Sequence, residues 1–261
     1  GETAVEELIR VRHRNLWQVI EEGLPDFSRN RFARRFAESV FGGRNIVCVS
    51  DGERESLLRS LGSAGAKPAR IITIPNFIDA DLVRRKSLED LPGLPEPGYL
   101  VTVGRLSPLK NQALAIRTLR LLPRSVRLVL VGDGKCRGEL ERLAVSEGVS
   151  DRCLFAGNQP NPFPWIRRAA MLVHTSRHEA FGMVIAEALA LGKPLAVTRS
   201  TGGLCGILSG PLASSVVDPD EKSLAGRITE VLESGVKPDT SVLQEFSAGS
   251  TAGKFLSLTD E

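Results

Sequence analysis

No apolar run of about 18 residues or more occurs in the chain, and none has the form of a signal peptide. Nothing is therefore expected to span a membrane. The reading is a cytoplasmic protein, with attachment to the cytoplasmic face of a membrane left open. Charge of one sign is also lacking: 34 Lys and Arg stand against 31 Asp and Glu, a net +3. That balance argues against a nucleic-acid partner held by bulk electrostatics. Cysteine is sparse and scattered, at Cys48, Cys136, Cys153 and Cys205, with no C-x-x-C pair and no cluster with the three histidines. No metal site is expected, and the thiols read as free and buried in a reducing compartment. Internal repeats and low-complexity tracts are absent too. What is present is a 42% apolar composition over 261 residues, enough for a real core.

The chain opens on Gly1-Glu2-Thr3 and reads as the middle of something longer. Apolar residues at helical spacing (Leu8, Val11, Leu16, Val19) predict a helix over about 5–22, and a second helix is expected over 28–40. A strand at 46–50, a helix at 53–61 and a strand at 70–76 then form a strand–helix–strand unit of a parallel sheet. The Pro- and Gly-rich stretch 91–98 reads as a domain linker. Beyond it, buried-type strands are expected at 99–103, 126–131, 153–156, 171–175 and 195–198. Helices at 112–122, 136–147 and 183–191 and a short turn near Trp165 separate them. A last strand at Val216-Val217 and two carboxyl-terminal helices follow. This alternation predicts an α/β fold, a doubly wound parallel sheet of the Rossmann-like kind, with its ligand at the strand carboxyl ends. The expected division is an amino-terminal remnant at 1–90, the linker at 91–98, a ligand-binding domain at 99–245 and a carboxyl-terminal helix at 246–261.

The loops leaving the strands are the places to seek chemistry. In Val103-Gly104-Arg105-Leu106-Ser107-Pro108-Leu109-Lys110-Asn111, two cations five residues apart bracket a turn that opens into a helix. They are placed to grip a diphosphate, with the helix amino terminus adding partial positive charge. The loop Val131-Gly132-Asp133-Gly134 fails as a dinucleotide fingerprint, because Arg137 stands where a third glycine is needed and Gly138 comes one residue late. The third loop runs Ser176-Arg177-His178-Glu179-Ala180-Phe181-Gly182-Met183 and continues to Glu187. Free amides at a helix start suit an anionic or polyhydroxyl ligand, and carboxylates accept paired hydrogen bonds from vicinal hydroxyls. Glu179 is equally open to a capping role; Glu187, among Val184, Ala186 and Leu189, is less so. His174 reads as a strand residue with a core or hydrogen-bonding role, and His178 as loop.

Taken together and in order, these segments resemble glycosyltransferase family 4, retaining enzymes of the two-Rossmann-domain type called GT-B. The resemblance spans 46 to about 258 and includes Val-Gly-Arg-Leu-x-x-x-Lys-Asn at 103–111, Val-Gly-Asp-Gly at 131–134 and Phe-Ala-Gly-Asn at 155–158. It continues through Asn-Pro-Phe-Pro-Trp at 161–165 and Ser-Arg-x-Glu-Ala-Phe-Gly at 176–182, with a Glu-x7-Glu pair at Glu179 and Glu187. It implies a hexosyltransferase that draws on a UDP-sugar or GDP-sugar donor, needs no cofactor or metal, and serves a glycan or lipid-linked acceptor, as in cell-surface polysaccharide synthesis. Arg105 and Lys110 would hold the diphosphate, and Glu187 the ribose hydroxyls. Glu179 with the main chain of Phe181, Gly182, Met183 and Val184 would hold the transferred sugar. Gly104 would line the donor pocket, and Gly157-Asn158 would lie near the base.

Three departures from the family pattern stand out. Pro75-Asn76-Phe77 replaces Pro-Asn-Gly; Gly202-Gly203-Leu204-Cys205-Gly206 lacks the glutamate of Gly-Gly-x-x-Glu; and the early glycine-rich loop has no counterpart. The chain alone is thus expected to bind a nucleotide sugar and to transfer little. Two other readings remain: a binding-only module, and a nucleotide-sugar epimerase of the same architecture. Finally, Arg29, Arg31, Arg34 and Arg35 with Phe27, Phe32 and Phe36 read either as a surface helix touching anionic lipid or as a solvated face beside packing aromatics.

Overall fold

Strands as apolar as Leu128-Val129-Leu130-Val131 cannot face water on either side, so helices must cover both faces of the sheet they build. The computed structural model describes residues 17–20 and 31–258, which contain two parallel sheets of three and six strands besides a short two-stranded pairing. The smaller joins β1 (Trp17–Ile20), β2 (Asn45–Cys48) and β3 (Arg70–Thr73) in that order. Helix α1 (Arg31–Phe41) leads into β2, and α2 (Asp51–Ala64) links β2 to β3. Ser50 starts α2 by accepting a hydrogen bond from the Glu53 amide at 3.2 Å, and Gly65 ends it at φ 79°.

Strand β1 corrects the expected helix over 5–22. Trp17 lies opposite Asn45 and Ile20 opposite Cys48 in a parallel ladder. The spacing of Leu16 and Val19 suits a helix, but Trp17, Val19 and Ile20 suit a pleated surface, and the open edge of β2 decides between them. The rest of that segment lies outside the described residues, as do Phe27 and Arg29. In α1 the residues Ala37, Val40 and Phe41 are buried, whereas Phe32 is 83% and Phe36 43% exposed.

The larger sheet contains β4 (Leu100–Val103), β5 (Leu128–Val131), β6 (Cys153–Gly157), β7 (Met171–His174), β9 (Leu195–Thr198) and β11 (Val216–Val217). Its order is β11-β9-β7-β4-β5-β6, parallel throughout. Between them, β8 (His178–Glu179) and β10 (Thr201–Gly202) pair as a separate two-residue ribbon. The helices are α3 (Ala80–Lys86), α4 (Gln112–Leu119), α5 (Arg137–Ser146), α6 (Phe163–Arg168), α7 (Met183–Ala190), α8 (Glu221–Ser234) and α9 (Ala248–Leu256). Helix α6, six residues long, is the short helical turn expected near Trp165.

Alternation along the strands sorts the side chains into two cores. Leu100, Leu128, Leu130, Met171, Val173 and Ala196 pack with α4, α5 and α8. Val101, Val129, Val131, Leu172, Leu195 and Val197 pack with α6 and α7 on the opposite face. Each such aliphatic side chain contributes about 1.5–3 kcal/mol by burial. Helix α3 rests on α6 and α7, and the segment after β3 is tied to the carboxyl-terminal region where the Ile78 amide donates to Phe246 O at 2.8 Å and Thr251 Oγ1 to Pro75 O at 3.3 Å.

Sequence order reverses between β4 and β7, each of which is followed by a neighbour on its own side. A crevice opens outside the carboxyl ends of the two strands at such a point. The adjoining loops lie backbone against backbone: a Cβ on Gly132, at φ 133°, would sit 2.1 Å from Gly104 O. We expect Gly132→Ala to lower stability by about 2–4 kcal/mol. Gly226, exposed within α8 with open space around it, should behave oppositely. Gly226→Ala should raise stability by about 0.5–1 kcal/mol. Urea midpoints of the two variants on opposite sides of the parent would bear this out; a Gly132→Ala midpoint equal to the parent's would contradict it.

Candidate functional site

Three strand-exit loops are laced together at the carboxyl end of the larger sheet. The Gly104 amide donates to Val131 O at 2.9 Å, Leu106 to Asp133 O at 2.9 Å, and Gly132 to Gly157 O at 2.8 Å. Leu106, 1% exposed, anchors the first loop in the core, and buried Gln112 donates from Nε2 to Arg105 O at 3.0 Å. Arg105 is thereby carried to the exposed tip, where its guanidinium pairs with none of the described residues. Asn111 closes the turn at φ 50°, a left-handed conformation that asparagine tolerates better than most residues.

The loop after β7 is stitched to the loop after β4. Thr175 Oγ1 donates to Lys110 O at 3.1 Å, and the Arg177 amide to Leu109 O at 2.8 Å. Across this seam Lys110 Nζ meets Glu179 Oε2 at 2.6 Å, and His174 Nε2 lies 3.1 Å from the same oxygen. Among the described residues Oε1 of Glu179 has no hydrogen-bond partner, and two of the three Lys110 protons stay free for other acceptors. Burial alone would raise the Glu179 carboxyl, but His174 and then Lys110 outweigh it and hold the group down at about 2.

Next along the chain, Gly182 adopts φ 88° at the start of α7 and offers no side-chain cap. The amides of Met183 and Val184, in the first turn, have no acceptor within the helix. Phe181 turns its ring into the core, edge-on to Phe246 at 5.4 Å, which leaves its main chain for the site. Glu187 follows one turn after Met183, on the same helix face. Burial pushes its carboxyl up to about 7, with no cation opposing the shift. Two carboxylates eight residues apart are thus kept in different states: one neutralised by partners, one short of them.

Arg105, Lys110, Glu179, Gly182 and Glu187 all stand on the loops and helix start flanking the crevice between β4 and β7. Gly104 directly follows β4, at φ 145°. Gly157, at φ 72°, joins through its bond to Gly132, and Asn158 beside it is exposed. His174 has the expected strand position and a hydrogen-bonding role. His178, read as loop, is instead a residue of β8, aligned with Thr201. Sequence reasoning missed Gln112 and Thr175, which brace the loops from below. A polar side chain closing the apolar run Met171-Leu172-Val173 was the available signal for His174.

The family described as "Glycosyl transferases group 1" matches residues 84–244. Over 202 residues the chain is 32% identical to the D-inositol 3-phosphate glycosyltransferase of Xylanimonas cellulosilytica, covering 69% of this chain and 48% of that one. It is 34% identical over 157 residues to the lipopolysaccharide core biosynthesis glycosyltransferase LpsE of Rhizobium meliloti, covering 60% and 44%. The chain spans about half the length of the curated relatives it matches. Among solved structures, Anabaena Alr3699/HepE in complex with UDP-glucose superimposes with a TM-score of 0.77 at 22% identity, covering 94% of this chain and 72% of that one. The shared architecture is the GT-B, Rossmann-like fold.

The environment of Glu187 has a measurable consequence. Its folded carboxyl titrates near 7 and an unperturbed one near 4.5, so between these values the unfolded chain releases its proton first. Stability falls as pH rises through that window, and the loss is complete above it. Glu187→Gln removes the ionisation and should match the parent near pH 4.5, then exceed it by about 1–3 kcal/mol at pH 8. Urea unfolding at the two pH values measures this, and a difference independent of pH would contradict it.

Proposed function

The chain belongs to the group 1 glycosyl transferases, and on that premise we propose that its larger sheet holds a UDP-sugar or GDP-sugar for transfer of a hexose, with retention, to a glycan or lipid-linked acceptor. The observation that carries this reading is the Lys110–Glu179 contact across the reversal of strand order, with Arg105, unpaired among the described residues, on the same loop as Lys110. A diphosphate needs cations, a sugar needs acceptors for its hydroxyls, and the crevice supplies both within one stitched pair of loops.

Each group has a part in this reading. Arg105 and the two free protons of Lys110 bind the diphosphate, each charge-assisted bond contributing roughly 1.5–3 kcal/mol. Glu187 accepts the ribose hydroxyls, which supply the partners its buried carboxylate lacks. Glu179 Oε1 and the main chain of residues 181–184 hold the sugar. Gly157-Asn158 borders the base, and Gly104 lets the phosphates approach the backbone. As the bond from the anomeric carbon to the diphosphate breaks, negative charge grows on the leaving group, and cations fixed beforehand stabilise it. The acceptor hydroxyl oxygen forms the new bond to the anomeric carbon, and its proton passes to the departing diphosphate oxygen. The name of the lipopolysaccharide-core relative supports an acceptor of the glycan or lipid-linked class; that of the inositol 3-phosphate relative points instead to a small polyol phosphate. In this reading the donor requires no protein-bound metal.

Titration calorimetry with UDP and GDP tests the assignment. Arg105→Ala and Lys110→Ala should each weaken the bound nucleotide by about 10- to 100-fold while the melting curve keeps its shape. Glu187→Gln should cost a nucleoside diphosphate more affinity than it costs the 2′,3′-dideoxy analogue. Unchanged affinity in the first two variants would overturn the diphosphate site, and equal losses in the third would remove Glu187 from the ribose.

A further inference from the structure

Glu53 lies in the first turn of α2, the helix that links β2 to β3 of the smaller sheet, and is only 2% exposed. A carboxylate so placed needs a partner, since desolvating an unpaired charge costs several kcal/mol. Its Oε1 lies 2.9 Å from His178 Nε2, at ion-pair distance but off the line of a hydrogen bond. The other ring nitrogen, Nδ1, is 3.0 Å from Thr201 Oγ1, which donates its own proton to Arg177 O at 3.1 Å. Nδ1 must therefore be the donor to Thr201. As an imidazolium, with a proton on each nitrogen, the ring is held at both ends, by Thr201 within the larger domain and by the charge of Glu53 from outside it.

The backbones are equally close there. A Cβ on Gly52 would lie 2.0 Å from Gly202 O, and a Cβ on Gly203 would lie 2.0 Å from Ser50 Oγ and 1.9 Å from Ala180 O. The start of α2 is thus seated on the β8–β10 ribbon. That ribbon has only two residues per strand, too few to fix its own orientation. Helix α2 does not need Glu53 for its own packing, which Leu57 and Leu61 supply in the core of the smaller sheet.

Successive residues of a strand point to opposite sides. In β8 that puts His178 toward Glu53 and Glu179 toward Lys110 and His174. We infer that Glu53 is a positioning residue for the sugar end of the donor site. By gripping His178 from the smaller sheet it sets β8, and with β8 the direction of the Glu179 carboxylate. This rests on the reading of Glu179 as a sugar-binding group. The smaller sheet then acts on donor recognition without touching the donor.

Glu53→Gln and His178→Gln in the 261-residue chain test the inference by two readouts. The first is amide exchange at residues 178–182, referred to the core of α7. Both variants should exchange about tenfold faster at 178–182 and be unchanged in α7. The second is the affinity for UDP-glucose relative to UDP. That ratio should fall about fivefold or more while UDP affinity stays within about twofold, and the double variant should lose no more than either single one. Exchange within about twofold of the parent, or a retained ratio, overturns the inference. Should Glu53→Gln fail to fold, His178→Gln decides, because that side chain is already 24% exposed. Should the parent bind no UDP, the donor-site reading fails and the role at the sugar fails with it, while the exchange rates alone still show whether Glu53 sets β8.

Discussion

Lys110 and Glu179 leave the larger sheet from β4 and β7, the neighbouring strands between which sequence order reverses, and their 2.6 Å contact joins the two halves of the doubly wound sheet at its open end. Much else in the structure serves to bring these two side chains together. Leu106 roots the first loop in the core and Gln112 braces it. Thr175 and Arg177 bond it to the second loop, and His174 stands beneath the carboxylate. A water-exposed pair of this kind would contribute little. Here the glutamate is 15% and the lysine 28% exposed, so the contact fixes geometry in a medium where charges act strongly on one another.

The two glutamates of the site show how environment assigns roles to identical side chains. Glu179 lies against His174 and Lys110, whose hydrogen bonds and charge overcome its burial, so its own charge is settled before anything binds. Glu187 has burial without a partner and is held near neutrality. A ligand presenting hydroxyl groups to Glu187 changes its balance far more than one presenting them to Glu179. Affinity gained there offsets a cost built into the free protein.

The strands of the larger sheet were legible because a parallel strand buried on both faces must be apolar along its whole length. The expected bounds at 195–198 coincide with β9, and those of the other strands lie within a residue or two. The motif residues at strand exits were legible for a related reason: strand ends locate the crevice. Strand β1 was not, since its pairing with β2 outweighed a local spacing that also fits a helix. Nor was the β8–β10 ribbon, whose two-residue strands carry no periodicity. The pairing of Lys110 with Glu179, 69 positions apart, and that of Glu53 with His178 depend on how loops fold back, which no local pattern encodes.

A crystal structure of the chain grown with UDP tests the central claim most directly. The account places the diphosphate against Arg105 and Lys110 at the open end of β4 and the ribose hydroxyls within hydrogen-bond distance of Glu187, with Glu179 still paired to Lys110. UDP bound elsewhere on the molecule, or seated in the crevice with its phosphates turned away from Arg105 and Lys110, would contradict it.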